Sequence, residues 1–287
     1  MLILEAACVV IVATFVAVRA RRDPRPQVFL RRLVLIAVAG WISEDTVIRA
    51  YDFYGYSPRW SVILDHVPLM VVVIWPVVIH SAWDLARHLF GRAHRWMPLL
   101  VAGLVFTDAW LIEPVAVNAG LWSWNAPGLF AVPPIGVLGW AIFAGLVIWV
   151  LERADARQDG LRTELSLLLV PAAFSHALLV AAWWGFFRWV DHPIPPAAGV
   201  VAAWAVSLAA TAGVVRTRAR RRVPMVELLL RVPAAAFFFV LLALHSSGQV
   251  WLIAYAVAFA PPYLALMDLG PGRTQPGVDG PRSSAAA

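Results

Sequence analysis

The sequence has little charge, no lysine and a single cysteine. Only 14% of its 287 residues are charged, against about 25% in ordinary soluble domains, and 61% are hydrophobic, which excludes a water-soluble protein. The lone Cys8 excludes an internal disulfide, and no Cys/His spacing typical of structural zinc accompanies it. The 23 basic residues are all arginine and most lie between apolar runs, so the net charge of +6 does not indicate nucleic-acid binding.

Several catalytic and cofactor-binding motifs are also missing. No His-x-x-x-His or His-x-x-His-His cluster occurs, which argues against the di-iron sites of membrane desaturases and hydroxylases. The sequence contains no Gly-x-Ser-x-Gly, no phosphate-binding glycine loop and no Asp-rich pair that would hold a magnesium diphosphate. We therefore expect no metal and no cofactor, and a diphosphate-cleaving prenyltransferase is disfavoured.

Long apolar runs recur along the whole sequence, and runs of this length cross about 30 Å of hydrocarbon. They predict an all-α, polytopic membrane bundle of about nine transmembrane helices. The predicted spans are 2–18, 33–51, 62–83, 97–116, 132–151, 165–189, 197–215, 225–244 and 248–267. These spans form one transmembrane domain over 1–269, and a tail over 270–287, rich in Gly, Pro, Ser and Ala, is predicted to be disordered.

The segments between the apolar runs alternate in arginine content. Segments 19–32, 84–96, 152–164 and 216–224 contain six, three, three and five arginines, whereas the intervening segments have almost none. The positive-inside rule makes the arginine-rich segments cytoplasmic, which predicts an outside N-terminus and a cytoplasmic C-terminus in a bacterial inner (plasma) membrane. Because Glu5 lies near the start of the first run and arginines follow its end, this run is interpreted as a retained helix and not as a cleaved signal peptide.

Two stretches share a pattern that indicates an internal repeat. Residues 67–75 and 132–140 both open with Val-Pro and end in tryptophan, and each follows a helix with carboxylates and an aromatic loop. Spans two and three are therefore predicted to duplicate spans four and five as parallel helical hairpins, with a weaker third copy over 183–204. The alternative is that proline and tryptophan are simply common at membrane interfaces.

Ionisable side chains cost about 3 kcal/mol each inside a bilayer, so each one requires a partner or a role. A spacing of four residues predicts salt bridges from Asp45 to Arg49 and from Glu227 to Arg231. Four other carboxylates have no arginine at helical spacing and fall in the outer half of the membrane. They are Glu44, Asp65, Asp108 and Glu113. We expect these four to form one site; the alternative is that they lie at helix ends and face water.

Aromatic residues are concentrated near these acids. Burial in a low dielectric disfavours an ionised carboxylate, so at least one of the acids is expected to stay protonated and able to donate its proton. Interfacial belts explain many of the 15 tryptophans, but aromatic faces also stabilise a developing carbocation. An acid beside an aromatic wall is the arrangement that alkene protonation requires.

Ordered motifs over about 40–150 carry a resemblance to a known family. They are Val67-Pro68-Leu69 with Trp75, Asp108, Glu113-Pro114, Gly120-Leu121-Trp122-Ser123-Trp124, Gly128-Leu129-Phe130-Ala131-Val132-Pro133 and Gly139-Trp140. This set resembles the carotenoid biosynthesis membrane proteins typified by the gamma-carotene 1',2'-hydratase family. The resemblance implies acid-catalysed addition of water to a terminal isoprenoid double bond, without metal or nucleotide. It also lies near membrane terpene cyclases, in which an internal alkene captures the cation.

We therefore interpret the chain as a membrane hydratase, or alternatively a cyclase, whose partners are a carotenoid or other polyprenyl substrate and membrane lipids. Glu44 or Asp108 is the candidate acid, and Asp65 and Glu113 are candidates to activate water or take the final proton. The candidate substrate-binding residues are Tyr54, Trp122, Trp124, Trp140 and His176.

Two alternatives stay open at this point. His176, near the middle of span six, fits either a polar site or a core position hydrogen-bonded to a neighbouring helix. Parallel repeats and intramembrane acids also suit a lipid or proton-coupled transporter, although no chain of acids crosses to the cytoplasmic side. The sequence does not define the oligomeric state.

Overall fold

The fold is a bundle of α-helices with short strands in connections at one end. The computed structural model describes residues 1–91, 95–157, 160–189, 192–217, 223–224, 228 and 230–267. The helices are α1 (Leu2–Arg22), α2 (Pro26–Tyr51), α3 (Leu69–Phe90), α4 (Met97–Asn118), α5 (Pro134–Arg157), α6 (Leu161–Gly185), α7 (Pro196–Thr217), α8 (Arg231–His245), α9 (Val250–Val257) and α10 (Ala260–Leu266), with a 3-10 helix over Phe187–Trp189. The strands are β1 (Tyr54–Tyr56), β2 (Ile63–Leu64), β3 (Val67–Pro68) and β4 (Trp122–Trp124).

Six helices in the described part of the chain are long and apolar enough to cross a membrane. They cover Leu2–Arg22, Leu69–Phe90, Met97–Asn118, Pro134–Asp155, Glu164–Trp189 and Pro196–Arg216. Large apolar side chains are exposed along several of them, such as Val201, Val206 and Leu208 on α7. Apolar surface of this extent fits lipid and not water. The prediction of an all-α membrane bundle is confirmed at this level, whereas the number of nine spans stays a prediction.

Three predicted spans differ in detail from the structure. The second corresponds to α2, which is 26 residues long but carries five charged side chains and is not among the six. The span 62–83 begins with the antiparallel β2–β3 pair, and its helix starts only at Leu69. The span 248–267 is divided into α9 and α10, because Pro261 and Pro262 lack the N–H groups that a continuous helix would need.

Other predictions fall partly or wholly outside the described residues. The tail over 270–287 lies outside them, as does Glu227, the predicted partner of Arg231. Within the span 225–244 the structure describes Leu228 and residues 230–244. The helix of this span, α8, has 15 residues.

Hydrogen bonds and ion pairs define which connections lie at the same end of the bundle. At the strand end, which holds β1 to β4, the Glu5 carboxylate near the N-terminus accepts a hydrogen bond from the Ser61 backbone N–H at 2.7 Å. At the opposite end, here the arginine end, Arg19 pairs with Asp84 and Arg32 with Asp155, both at 2.8 Å. The arginine-poor connections thus share one end with the N-terminus. Which end faces the cytoplasm stays a prediction.

Helices α2 to α6 enclose the main apolar core. Helix α4 packs on α5, α5 on α6, and α2 on both α3 and α6. Fully buried Ile36, Ile79 and Ile148 meet there, and the small side chains of Ala82 and Ala144 let the helices approach closely. Because interiors of this kind are close-packed, the core holds α2 to α6 in fixed relative positions.

A tight turn before α5 holds two non-glycine residues in the left-handed region. Leu129 and Val132 exchange both backbone hydrogen bonds, each at 3.0 Å, and the central residues Phe130 and Ala131 have φ of 51° and 63°. Such two-residue hairpin turns need positive φ at both central positions, where glycine or asparagine is usual. The preceding Gly128 is required by space, since a Cβ there would overlap the Val132 carbonyl.

Ala131→Gly is expected to stabilise the protein by about 1 kcal/mol. A left-handed L-residue costs roughly 1–2 kcal/mol, and the greater freedom of glycine in the unfolded chain offsets only part of this. The midpoint of thermal unfolding in detergent should therefore rise. The matched control is Ala209→Gly on an exposed position of α7. It should destabilise the protein by about 1 kcal/mol and therefore lower the midpoint. A fall in both variants would contradict strain at Ala131.

Candidate active site

Two buried glutamates line one cavity at the strand end. Glu44 lies on α2 and Glu113 on α4, and the two residues are 9% and 2% exposed. Both line a cavity of about 160 Å³ whose wall comes from α1 to α6, α8 and the strand-end loops. Except for a few polar groups the wall is aromatic and aliphatic. Two of the four predicted acids therefore share a site.

Glu44 accepts three hydrogen bonds from aromatic side chains. The hydroxyls of Tyr54 and Tyr56 donate to its Oε2, the latter at 3.0 Å, and the Trp75 indole N–H donates to its Oε1 at 3.0 Å. Burial, and then the neighbouring Glu44 carboxylate, raise the pKa of both tyrosines well above the ordinary tyrosine value. Both phenols therefore keep their protons at neutral pH.

Glu113 is held in the same way, but by three indoles. Trp122 and Trp124 donate to its Oε2 at 2.7 and 2.9 Å, and Trp140 donates to its Oε1 at 2.8 Å. An indole N–H donates and never accepts, so all three tryptophans require Glu113 to be an acceptor. The tyrosine hydroxyls at Glu44 can also accept a hydrogen bond, which makes a protonated carboxyl easier to hold there than at Glu113.

The surroundings of the two glutamates correspond position by position. Strand β1 pairs antiparallel with β4, with Gly55 opposite Ser123. Around each glutamate, the strand that follows it in the sequence supplies two hydrogen-bond donors to Oε2. The tryptophan of the next helix supplies one donor to Oε1. The rings of Trp75 and Trp140 lie 4.6 Å apart between centroids. Two carboxyl groups that accept the same pattern of hydrogen bonds therefore line the cavity.

Two local features of the sequence place the indoles and the backbone around Glu113. Because Pro114 has no N–H, the Trp110 carbonyl lacks its helical donor, and the Tyr255 hydroxyl on α9 donates to it instead at 3.0 Å. On α5, Gly136 leaves the space that the Trp124 ring occupies, since a Cβ at that position would overlap the ring.

Asp108 and Asp65 each have an arginine partner, which corrects the sequence-based expectation. Arg231 Nη1 donates to both carboxylate oxygens of Asp108 at 2.7 and 2.8 Å, and the Tyr263 hydroxyl donates to Asp108 at 2.8 Å. Asp65 forms an ion pair with Arg49. Neither aspartate lines the cavity of the two glutamates. The prediction that all four acids lack partners and converge is therefore wrong for these two, and any catalytic role for them stays a prediction.

Asp65 belongs to a cluster at the strand end that the sequence did not reveal. The predicted pair of Asp45 and Arg49 is confirmed at 2.8 Å, and Arg49 also binds Asp65. Ligand-type atoms of Asp45, Asp65 and His66 lie within 4.8 Å of one another. Since one guanidinium binds both carboxylates, an ion-pair network accounts for the cluster.

The predicted substrate-binding residues separate into two groups. Four of them line the cavity, namely Tyr54, Trp122, Trp124 and Trp140. His176 does not line it, and its ring packs against Tyr51 with 5.7 Å between centroids. The adjacent Ser175 lines it instead, and its hydroxyl lies 3.2 Å from that of Ser43.

Two hydrogen-bond donors to Glu44 were missed as site residues. Tyr56 shares a strand face with Tyr54, and the alternation of a strand would have identified it. Trp75 was noted for its match to Trp140 and among the motifs of the family resemblance, and the match itself predicts an equivalent contact with a carboxylate.

A family model described as carotenoid biosynthesis protein matches residues 1–206, the greater part of the chain. Both glutamates and all six of their aromatic donors lie within the matched residues, whereas α8 to α10 lie outside them. No curated protein and no solved structure gives a match.

Proposed function

The chain belongs to the carotenoid biosynthesis protein family, and from this we propose that it is a membrane enzyme that hydrates a terminal double bond of a carotenoid or related polyprenyl lipid. The observation that carries the proposal is the pair of buried glutamates on one aromatic-walled cavity. Such a cavity offers a proton, an acceptor for a proton and ring faces for a cation, which are the groups that acid-catalysed hydration requires.

Glu44 is the proton donor in this proposal. A carboxyl group has about four lone-pair positions, and the two tyrosines and Trp75 occupy three of them. The remaining position is on Oε1, and a proton there is the one that is transferred to the alkene. Asp108, the other candidate acid, is bound on both oxygens by Arg231 and does not line this cavity.

Glu113 completes the reaction as a carboxylate. Proton transfer from Glu44 forms a C–H bond and leaves a tertiary cation, which the aromatic faces and the negative charge of Glu113 stabilise. Water then forms the C–O bond and gives its extra proton to Glu113. Return of this proton to Glu44 restores the starting state, so the net reaction adds one water across one double bond.

The size of the cavity favours water over an internal alkene as the group that captures the cation. An apolar cavity of ~150 Å³ accommodates one benzene, and one water takes about 30 Å³ of liquid volume. The cavity of about 160 Å³ therefore suits a five-carbon end group more than a chain folded back on itself for cyclisation.

Labelled water tests the proposal directly. Membranes with the protein, supplied with an acyclic carotenoid in ¹⁸O-water, should give a product that carries one ¹⁸O by mass spectrometry of the lipid extract. Membranes without the protein are the control. An isomerised product without the label would favour a cyclase, and an unchanged lipid would contradict both reactions and favour a carrier.

We also propose the internal repeat and the orientation in the membrane. The matched donors around Glu44 and Glu113 support a duplication of the hairpins α2–α3 and α4–α5. The grouping of arginine-rich connections at one end supports a cytoplasmic arginine end, with the N-terminus and the strand end outside.

Gly136→Ala is expected to lower turnover by at least about tenfold. The new Cβ would push the Trp124 ring away from α5 and break its hydrogen bond to Glu113, and a hydrogen bond to a charged group contributes about 1.5–3 kcal/mol. Product per amount of membrane-inserted protein is the measurement. The control is Gly103→Ala on α4, where nothing lies within 4 Å of a new Cβ. Equal turnover of both variants would show that Trp124 does not support the site.

A further inference from the structure

A second cavity, of about 220 Å³, lies beside the first and is not used by the proposed reaction. Helices α3, α4, α8 and α10 form its wall, which is mostly aromatic and aliphatic. Val78, Ile112 and Phe238 line both cavities, so the two spaces are direct neighbours. A ligand in the first cavity is therefore placed to extend into the second.

Two residues of this wall each carry a polar group that has no hydrogen-bond partner among the described residues. One is the Ser81 hydroxyl, on a residue that is 1% exposed, and the other is Arg231 Nε, on a side chain that is 8% exposed. Buried polar groups are almost always hydrogen-bonded, and leaving one without a partner is costly. Arg231 Nε can only donate, and the Ser81 hydroxyl can donate as well as accept, so a ligand atom that accepts satisfies both groups.

The charge of the wall indicates what kind of acceptor fits. Asp108 neutralises Arg231, and the Tyr263 hydroxyl contacts both of them, at 2.8 Å from Asp108 and 2.7 Å from Arg231. The cluster is therefore neutral overall. An anionic ligand would bring an uncompensated charge among Phe239 and other apolar side chains, whereas a hydroxyl or carbonyl oxygen accepts without adding charge.

We propose that the second cavity binds a neutral oxygen, a hydroxyl or carbonyl, of the isoprenoid lipid whose double bond occupies the first cavity. The inference rests on the proposed function and specifies its substrate class as an oxygenated isoprenoid. Because the cavities share wall residues, the oxygen lies a short distance along the lipid from the reacting alkene. Ser81 and Arg231 are then specificity-determining residues, and Arg231 lies beyond the residues that match the family.

Binding of a matched pair of probes tests this proposal. The probes are geraniol and the ten-carbon hydrocarbon that lacks only its hydroxyl, and each is titrated into full-length Glu44→Gln protein in nanodiscs and monitored by tryptophan fluorescence. Adding Ser81→Ala should weaken geraniol binding about fivefold, the effect of one hydrogen bond, and leave the hydrocarbon unchanged. Because each probe is compared only with itself, its partition into lipid cancels.

Ser207→Ala is the matched control, since this serine on α7 also has a buried hydroxyl without a partner in the described part of the chain but lines neither cavity. It should change neither probe. Unchanged geraniol binding in the Ser81→Ala protein would mean that the cavity holds only water, and an equal loss for both probes would mean a packing role; either result overturns the proposal. Failure of the proposed reaction shows separately, as retained turnover in Glu44→Gln.

Discussion

Replacing Glu44 with glutamine is expected to lower turnover by at least ~100-fold, the lower range of what general acid catalysis contributes. The amide keeps the shape of the side chain but has no acidic proton to give to the alkene. Turnover is measured as hydrated product per amount of protein in isolated membranes. Since an amide nitrogen cannot accept the hydrogen bond from Trp75, the amount of folded protein is determined in the same membranes.

Asp65→Asn is the matched control for this experiment. Asp65 was predicted to act beside Glu44, but its side chain is 40% exposed and binds Arg49 away from the cavity. An exposed ion pair contributes little to stability, so this variant should fold and turn over substrate at a near-normal rate. Near-normal turnover of Glu44→Gln would contradict the acid mechanism, and loss of activity in both variants would restore Asp65 as a site residue.

Glu113→Gln is expected to have a different effect from Glu44→Gln. Its amide nitrogen would be a donor facing indoles that also only donate, so at least one of the bonds from Trp122, Trp124 and Trp140 must be lost. We therefore expect a loss of stability in addition to a loss of turnover. Glu44 has two hydroxyl partners that can reverse their direction, so Glu44→Gln should lose turnover with a smaller loss of stability.

The part of the site that the sequence predicted is the part that depends on local pattern. Glu44 and Glu113 each precede an aromatic strand and a Val-Pro-initiated helix, and this order within one hairpin is visible in the sequence. The partner of Asp108 is not visible, because Arg231 is 123 residues away and the helical spacing rule considers only neighbours on the same helix. Pairing between helices is a property of packing, and no single-helix pattern contains it.

The fold, like the site, was predicted from the sequence only where a local pattern determines it. Hydropathy located the apolar helices, since a run that must face lipid has to be apolar over its whole length. It did not separate the β2–β3 hairpin from α3, because Val62, Ile63 and Leu64 are as apolar as the helix that follows. Apolar character alone does not distinguish a short strand from the first turn of a helix.

Asp108→Asn is expected to destabilise the folded protein by about 3–5 kcal/mol, because it leaves the buried guanidinium of Arg231 without its counter-charge. The fall is measured as a lower midpoint of unfolding in detergent, with Asp65→Asn expected to stay within about 0.5 kcal/mol of the parent. The double variant Asp108→Leu with Arg231→Met should regain much of the lost stability, since it leaves no charge in the apolar space between α4 and α8. A catalytic Asp108 predicts the opposite pattern, in which Asp108→Asn is as stable as the parent but inactive. Two results together would contradict this role of the ion pair. Asp108→Asn would unfold at the same midpoint as the parent, and the double variant would be no more stable than Asp108→Leu or Arg231→Met alone. The ion pair would then not hold α8 against α4.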